Sequence, residues 1–267
     1  MGLFDFLNKK QTPKQPETTP AERSTQDTAE PYLGDLERTN IIYGLSQTPK
    51  AERNDDWRET FLHNIIHASF RCADPQVVTG PDGFPYFQLF LPEPYQPFQC
   101  YVIDRIKDDF LLDAGYGVVI NPGPDSADWV LSYGDILNLK LNGAFFAKGD
   151  YPFASGTGPE TIQEEEQVMI GQPNETLLPQ AARKLLAKLL QANGIPNPKI
   201  MLMVRQQKDG SGAYQDLVFN LTSGQFESKA HYQSVMHTIG WYLPRHYSYV
   251  GMEEKNFASG FEPLMPM

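Results

Sequence analysis

The stretch QVMIGQPNETLLPQAARKLLAKLL, residues 167–190, decides how the second half of the chain is read. Val168, Met169 and Ile170 make a short apolar strand, closed by Gly171 and Pro173. Thr176 is placed to cap a helix by accepting a hydrogen bond from an unpaired backbone N–H, and Pro179 falls in its first turn, where a missing N–H costs nothing. Leu178, Ala182, Leu185, Leu186 and Leu189 then recur at helical spacing, with Gln180, Arg183, Lys184, Lys188 and Gln191 opposite. Asn193-Gly194 supplies a left-handed stop, and Pro196 and Pro198 block continuation. A strand, a turn and an amphipathic helix therefore open a structural unit.

Downstream the pattern continues. Lys199 to Arg205 (KIMLMVR) reads as a strand, KDGSG at 208–212 as a hairpin turn, and Tyr214 to Leu221 as the partner strand. Phe226 to Leu243 reads as a second amphipathic helix burying Tyr232, Val235, Met236, Ile239 and Leu243. Pro244 stops it, and His246 to Met252 is a last strand. The order β-α-β-β-α-β over 167–267 is that of the split-βαβ or ferredoxin-like arrangement, an antiparallel sheet with both helices on one face.

Upstream, Ala147 to Glu166 marks a boundary. It holds Gly149, Pro152, SGTGP at 155–159 and Glu164-Glu165-Glu166, so 154–166 is expected to be a linker. Residues 32–153 are expected to form an α+β domain of helices on an antiparallel sheet. Leu36 to Leu45 and the run from Asp55 to Cys72 are the helices. In the second, Trp57, Phe61, Ile65, Ala68 and Cys72 share one face, and Glu59, His63 and His67 the other. From Phe84 the pattern turns to strands: Phe87 to Leu91, Phe98 to Ile103, Phe110 to Leu112, Val118 to Ile120, Trp129 to Leu131 and Ile136 to Leu141. Residues 1–31 contain the Thr-, Pro-, Gln- and Glu-rich run 11–30, with too little apolar surface to offset its ordering entropy, and read as a disordered tether.

Asp and Glu number 33 against 22 Lys and Arg, a net charge of -11 over 267 residues. Such a balance disfavours nucleic acid and suits a protein partner with a basic surface. Cys72 and Cys100 are the two cysteines, with no C-x-x-C, so a reducing, cytoplasmic compartment is expected and no zinc site of cysteines. No run approaches the ~20 apolar residues of a membrane helix. Met1 to Leu7 (MGLFDFL), with Leu3, Phe4, Phe6 and Leu7 ahead of Lys9-Lys10, is the one segment suited to touch a membrane surface. Position 6 is Phe, so the myristoylation pattern is not met.

The second unit resembles a known family. Val168-Met169-Ile170-Gly171-Gln172-Pro173 leading into a long helix, then KIMLMVR with its partner strand and the tail Gly260-Phe261-Glu262-Pro263, is similar to the C-terminal domain of the enhanced-serine-sensitivity protein B family of bacteria, over about residues 165–265. The resemblance implies a bacterial cytoplasmic accessory protein. It carries over no catalytic residue, and residues 32–153 share no part of it.

The chemical motifs are sparse. His63 and His67, at i and i+4, with Glu59 a turn before, are the candidate metal ligands, although Asn64 stands where H-E-x-x-H needs Glu. Ser155, Ser211 and Ser259 lie in Gly-rich loops without a G-x-S-x-G elbow. SGTGP lacks the Gly-Lys-Ser/Thr ending of a P-loop, and Gly115-Tyr116-Gly117 precedes a strand, not a helix. No cofactor is expected. Aromatics make up 12% of the chain and cluster beside prolines. Tyr95, Trp129, Trp241 and Tyr247 are the candidates for a binding face, because binding hot spots favour Tyr and Trp. The leading expectation is a non-enzymatic protein-binding protein, toxin-neutralising (an immunity protein) or regulatory. The alternatives are a metal-dependent hydrolase using His63 and His67 and a peripheral membrane factor anchored by residues 1–7.

Overall fold

The Asp35 carboxylate accepts the Arg38 N–H at 3.1 Å and starts the first helix, α1 (Leu36–Ser46). Asn54 caps α2 (Asp55–Ile65) through the Trp57 N–H at 2.8 Å. These positions belong to a computed structural model of the chain, which describes residues 33–123, 126–147, 153, 168–206 and 213–265. Residues 1–32, the 154–166 linker and the 208–212 turn lie outside the described residues.

Helix α2 ends seven residues before the expected Cys72. The carbonyls of Ile66 and His67 are taken by the N–H groups of Asp104 and Asp35, each at 2.9 Å, and Phe70 pairs with Tyr101. Tertiary partners thus override the helical periodicity. The inner face of α2 buries Trp57, Phe61 and Ile65 as expected.

The first sheet has the order β1 (Val77–Thr79), β2 (Pro85–Leu89), β3 (Gly117–Ile120), β4 (Trp129–Leu131). Its outer pairs are antiparallel, but β2 and β3 run parallel, so the purely antiparallel expectation does not hold. Parallel neighbours need a long crossover. Here it is helical: α3 (Ile103–Ile106), a π-helical turn (Lys107–Leu111) and α4 (Leu112–Ala114) take in Ile103 and Phe110 to Leu112, which were expected in strands. Ile136 to Leu141 is likewise helical, inside α5 (Tyr133–Asn142). Its start is a capping box: Ser132 accepts the Asp135 N–H at 3.1 Å, and Asp135 accepts the Ser132 N–H at 2.8 Å.

The second sheet contains β5 (Val168–Gly171), β6 (Lys199–Gln206), β7 (Ala213–Phe219) and β8 (Tyr249–Gly251) in that spatial order, with β9 (Glu262–Pro263) beside β6. Helices α6 (Gln180–Ala192) and α7 (Lys229–Tyr242) complete the expected β-α-β-β-α-β chain order. The spatial order is not the split one. The parallel pair β7 and β8 are direct neighbours, with no strand inserted between them, while β5–β6 and β6–β7 are antiparallel. The fold is a mixed α+β arrangement of two sheets with interspersed helices. Pro179, not Thr176, stands at the N-cap of α6, and the Thr176 hydroxyl bonds Asn174 instead.

One buried cluster draws on both sides of residues 154–166, including Phe61, Leu89 and Ile120 on one side and Leu186, Phe219 and Ile239 on the other. Trp241 of α7 seals the junction. Its ring stacks on Phe84 at 4.4 Å and meets Tyr86 edge-on at 6.1 Å. The described residues from Leu33 onward form one compact unit. The far face of the second sheet carries a smaller cluster of Met201, Met203 and Val218, with Phe257 and Phe261 against it.

Candidate functional site

The outer stripe of α2 carries Arg58, Glu59, Leu62 and His63. Opposite it, residues 143–147 leave the end of α5. Between them lies a cleft of about 670 Å³, with Trp129 of β4 on its wall and Arg245 and His246, just past α7, at its rim. Leu62, Ile66, Trp129, Phe145 and Phe146 give it an apolar floor.

The 143–147 wall is fixed from beneath. Gly143 takes φ +70°, a left-handed conformation that suits glycine, and its N–H bonds the Leu139 carbonyl at 2.9 Å. Asn138, 1% exposed, donates to the Ala144 carbonyl at 2.8 Å and accepts from Asn142 at 2.7 Å.

Arg245 reaches the cleft because α5 has glycine at position 134. A Cβ there would lie 1.9 Å from the Leu243 carbonyl oxygen, so only glycine lets Leu243-Pro244-Arg245 cross the first turn of α5. The crossing sets the guanidinium on Asp135: Nε–H donates to Oδ1 at 2.7 Å and Nη2–H to Oδ2 at 2.8 Å. Asp135 is 0% exposed, whereas the Arg245 side chain is 60% exposed. The guanidinium also lies over the Phe146 ring, 4.6 Å from its centroid. The hydrogen bonds to Asp135 hold the Arg245 pKa above its usual range, and burial lowers that of His246.

The residues nominated from sequence have different fates. Glu59 and His63 line the cleft; His67 does not. It lies beyond the end of α2, with Nδ1 3.7 Å from an Asp104 carboxylate oxygen. The two histidines therefore share no helical face. Among the described residues no group of three His, Cys, Asp or Glu side chains is placed to hold a metal ion. Trp129 lines the cleft, tilted against Trp57 and Phe61 at 6.1 and 5.9 Å, and its indole N–H is buried without a partner among the described residues. Tyr95 is fully exposed, at φ +63°. Trp241 and Tyr247 are buried, the first against Phe84, the second stacked on Phe153 at 4.2 Å with its hydroxyl donating to the Leu177 carbonyl. Cys72 and Cys100 are both free thiols, raised in pKa by burial.

Reading along the chain nominated none of Arg245, His246, Phe145 and Phe146 for the site. The usable signal was Ser132-Tyr133-Gly134-Asp135, a capping-box spacing with Asp at its fourth position. It announces a helix start whose carboxylate is free to bind a second partner.

The cleft offers Glu59, His63 and His246 as proton-transfer groups. No Ser, Thr, Cys, Tyr or Lys is among its described lining residues. No helix among the described residues is long and apolar enough to cross a membrane. No family model matches the chain, and no curated protein or solved structure matches it.

Proposed function

We propose that this protein works by binding another protein, and that the partner inserts an apolar segment into the cleft between α2 and residues 143–147. The observation that carries the reading is the composition of the cleft: an apolar, largely aromatic floor under a charged rim, which is the anatomy of a protein-binding hot spot. Its volume of about 670 Å³ holds one or two side chains rather than a folded domain.

Two further features favour binding over turnover. The proton-transfer groups have no nucleophile beside them among the described lining residues, and the metal-hydrolase alternative loses His67 to the far side of a helix end. The net charge of -11 would steer a partner with a basic surface toward the protein at long range. Residues 165–265 resemble a bacterial accessory family, in keeping with an immunity or regulatory role in the cytoplasm.

A photoreactive residue at position 59, on the cleft rim, tests the reading in the native host. The control is position 227, beyond the far end of α7 and roughly 20 Å away by helix rise. One protein should crosslink at 59 and not at 227. Equal labelling at both positions, or turnover of a small molecule abolished by His63→Ala, would remove the binding reading.

A further inference from the structure

We propose that the group the cleft recognises is the C-terminal carboxylate of the partner chain, with the apolar side chain of its last residue on the floor. This rests on the partner-binding reading above and names what is bound.

Start from the donors of Arg245. A guanidinium has five N–H donors in one plane. Asp135 accepts from Nε and from Nη2, and so takes one edge of that plane. Three donors remain, and two of them, one on Nη1 and one on Nη2, point in parallel from the end of a side chain that is 60% exposed and lines the cleft. That outer edge matches a carboxylate in geometry, two parallel N–H···O bonds in the guanidinium plane.

The arginine is also set in advance. Asp135 is fully buried and accepts the Ser132 N–H as well, so it cannot swing away with its partner. The Phe146 ring lies against the guanidinium at 4.6 Å. A ligand that uses the outer edge therefore pays little of the rotamer entropy that a free surface arginine would demand.

Position then selects among carboxylates. Phe146 belongs to the apolar floor and touches the guanidinium directly. Whatever binds the outer edge must present apolar carbon within a bond or two of its carboxylate. A C-terminal apolar residue does so, because its side chain branches from the carbon that bears the carboxylate. An Asp or Glu side chain places a polar backbone there instead. A dianionic phosphate would sit close to the Asp135 carboxylate, where a single negative charge is repelled less.

The matched probes are N-acetylphenylalanine, its C-terminal amide, and N-acetylglutamate blocked as its main-chain amide, which leaves only a side-chain carboxylate. The chain has three tryptophans, so the indole N–H resonances of the full-length protein give a compact readout. N-acetylphenylalanine should move the Trp129 indole signal with a Kd on the order of a millimolar, leaving that of the buried Trp241 in place. The amide and the glutamate derivative should bind at least five-fold more weakly. Arg245→Lys, which keeps the charge but loses the planar fork, should weaken the acid as much as amidation does. If that variant fails to fold, the acid-against-amide comparison in the unaltered protein decides alone. Equal binding of acid and amide, or no shift by 20-fold excess over that Kd, overturns the proposal. If the crosslink at position 59 survives that result, only the carboxylate is lost and the partner site stands. Binding of the acid without any partner crosslink removes the protein partner and this proposal with it.

Discussion

Two arginine–aspartate pairs in this molecule share a motif and differ in surroundings. Asp216 of β7 holds Arg205 of β6 at 2.8 Å, with both side chains almost fully enclosed, at 1% and 6% exposure. Ser248 donates to the other carboxylate oxygen of Asp216, and Tyr214 lies over the guanidinium at 4.5 Å. Asp135 holds Arg245 through two comparable bonds, but only the aspartate is buried. The first pair spends its hydrogen bonds on the fold. The second anchors one edge of a guanidinium whose side chain is 60% exposed and lines a cleft. A buried aspartate is thus no mark of a purely structural pair; what its arginine does with the remaining donors separates the two.

The largest expected effect is at the enclosed pair. Asp216→Ala strands a buried guanidinium and should cost ~3–5 kcal/mol, measured by urea unfolding. Asp135→Ala should cost less, about 2 kcal/mol, because Arg245 can turn to water while the capping box is lost. Both losses should appear in a single transition, since one core serves both regions. A second transition in either variant would separate the two halves of the chain and spoil the comparison. For the same reason a fragment starting at residue 160 should not fold alone.

Gly134→Ala sharpens the comparison without touching a charge. Its Cβ would meet the Leu243 carbonyl oxygen at 1.9 Å, backbone that cannot step aside cheaply. A cost of about 1–3 kcal/mol is expected, together with loss of cleft binding and no change around Arg205. Intact binding in a well-folded Gly134→Ala protein would show that the Leu243–Arg245 crossing does not set the arginine.

The smallest effect concerns His246, whose pKa burial holds below the ordinary 6.5. The unfolded chain then takes up this proton first as pH falls. The stabilisation is complete above the unfolded value and is lost as pH drops through the folded one. Between pH 7.5 and 5.5 the melting temperature should fall less in His246→Gln than in the unaltered protein. An identical fall in both would mean that the imidazole titrates as freely folded as unfolded.

How much of this was legible in the sequence varies by cause. Helices α1, α2 and α6 were readable because apolar spacing is a local signal, although the cap of α6 falls at Pro179 and not at Thr176. Phe98–Ile103, Phe110–Leu112 and Ile136–Leu141 read as strands, since short apolar runs fit either period; in the last, the Ser132–Asp135 box was the overlooked arbiter. The β-α-β-β-α-β order was readable, but the spatial order of strands was not, because pairing depends on contacts distant in sequence. In the cleft, Glu59, His63 and Trp129 lie on elements whose faces could be guessed. Arg245 and Phe146 lie after helix ends and meet only through the glycine at 134. Trp241 and Tyr247 were aromatic for the sake of the core.

Arg245, as proposed, is held for a partner rather than for stability. The most direct measurement is the crosslinking yield at position 59 in Arg245→Lys, taken beside its melting temperature. The yield should fall several-fold while the melting temperature moves by no more than ~3 °C, the scale of about 1 kcal/mol in a chain of this size. An unchanged yield, or a fall that only tracks lost stability, would contradict it.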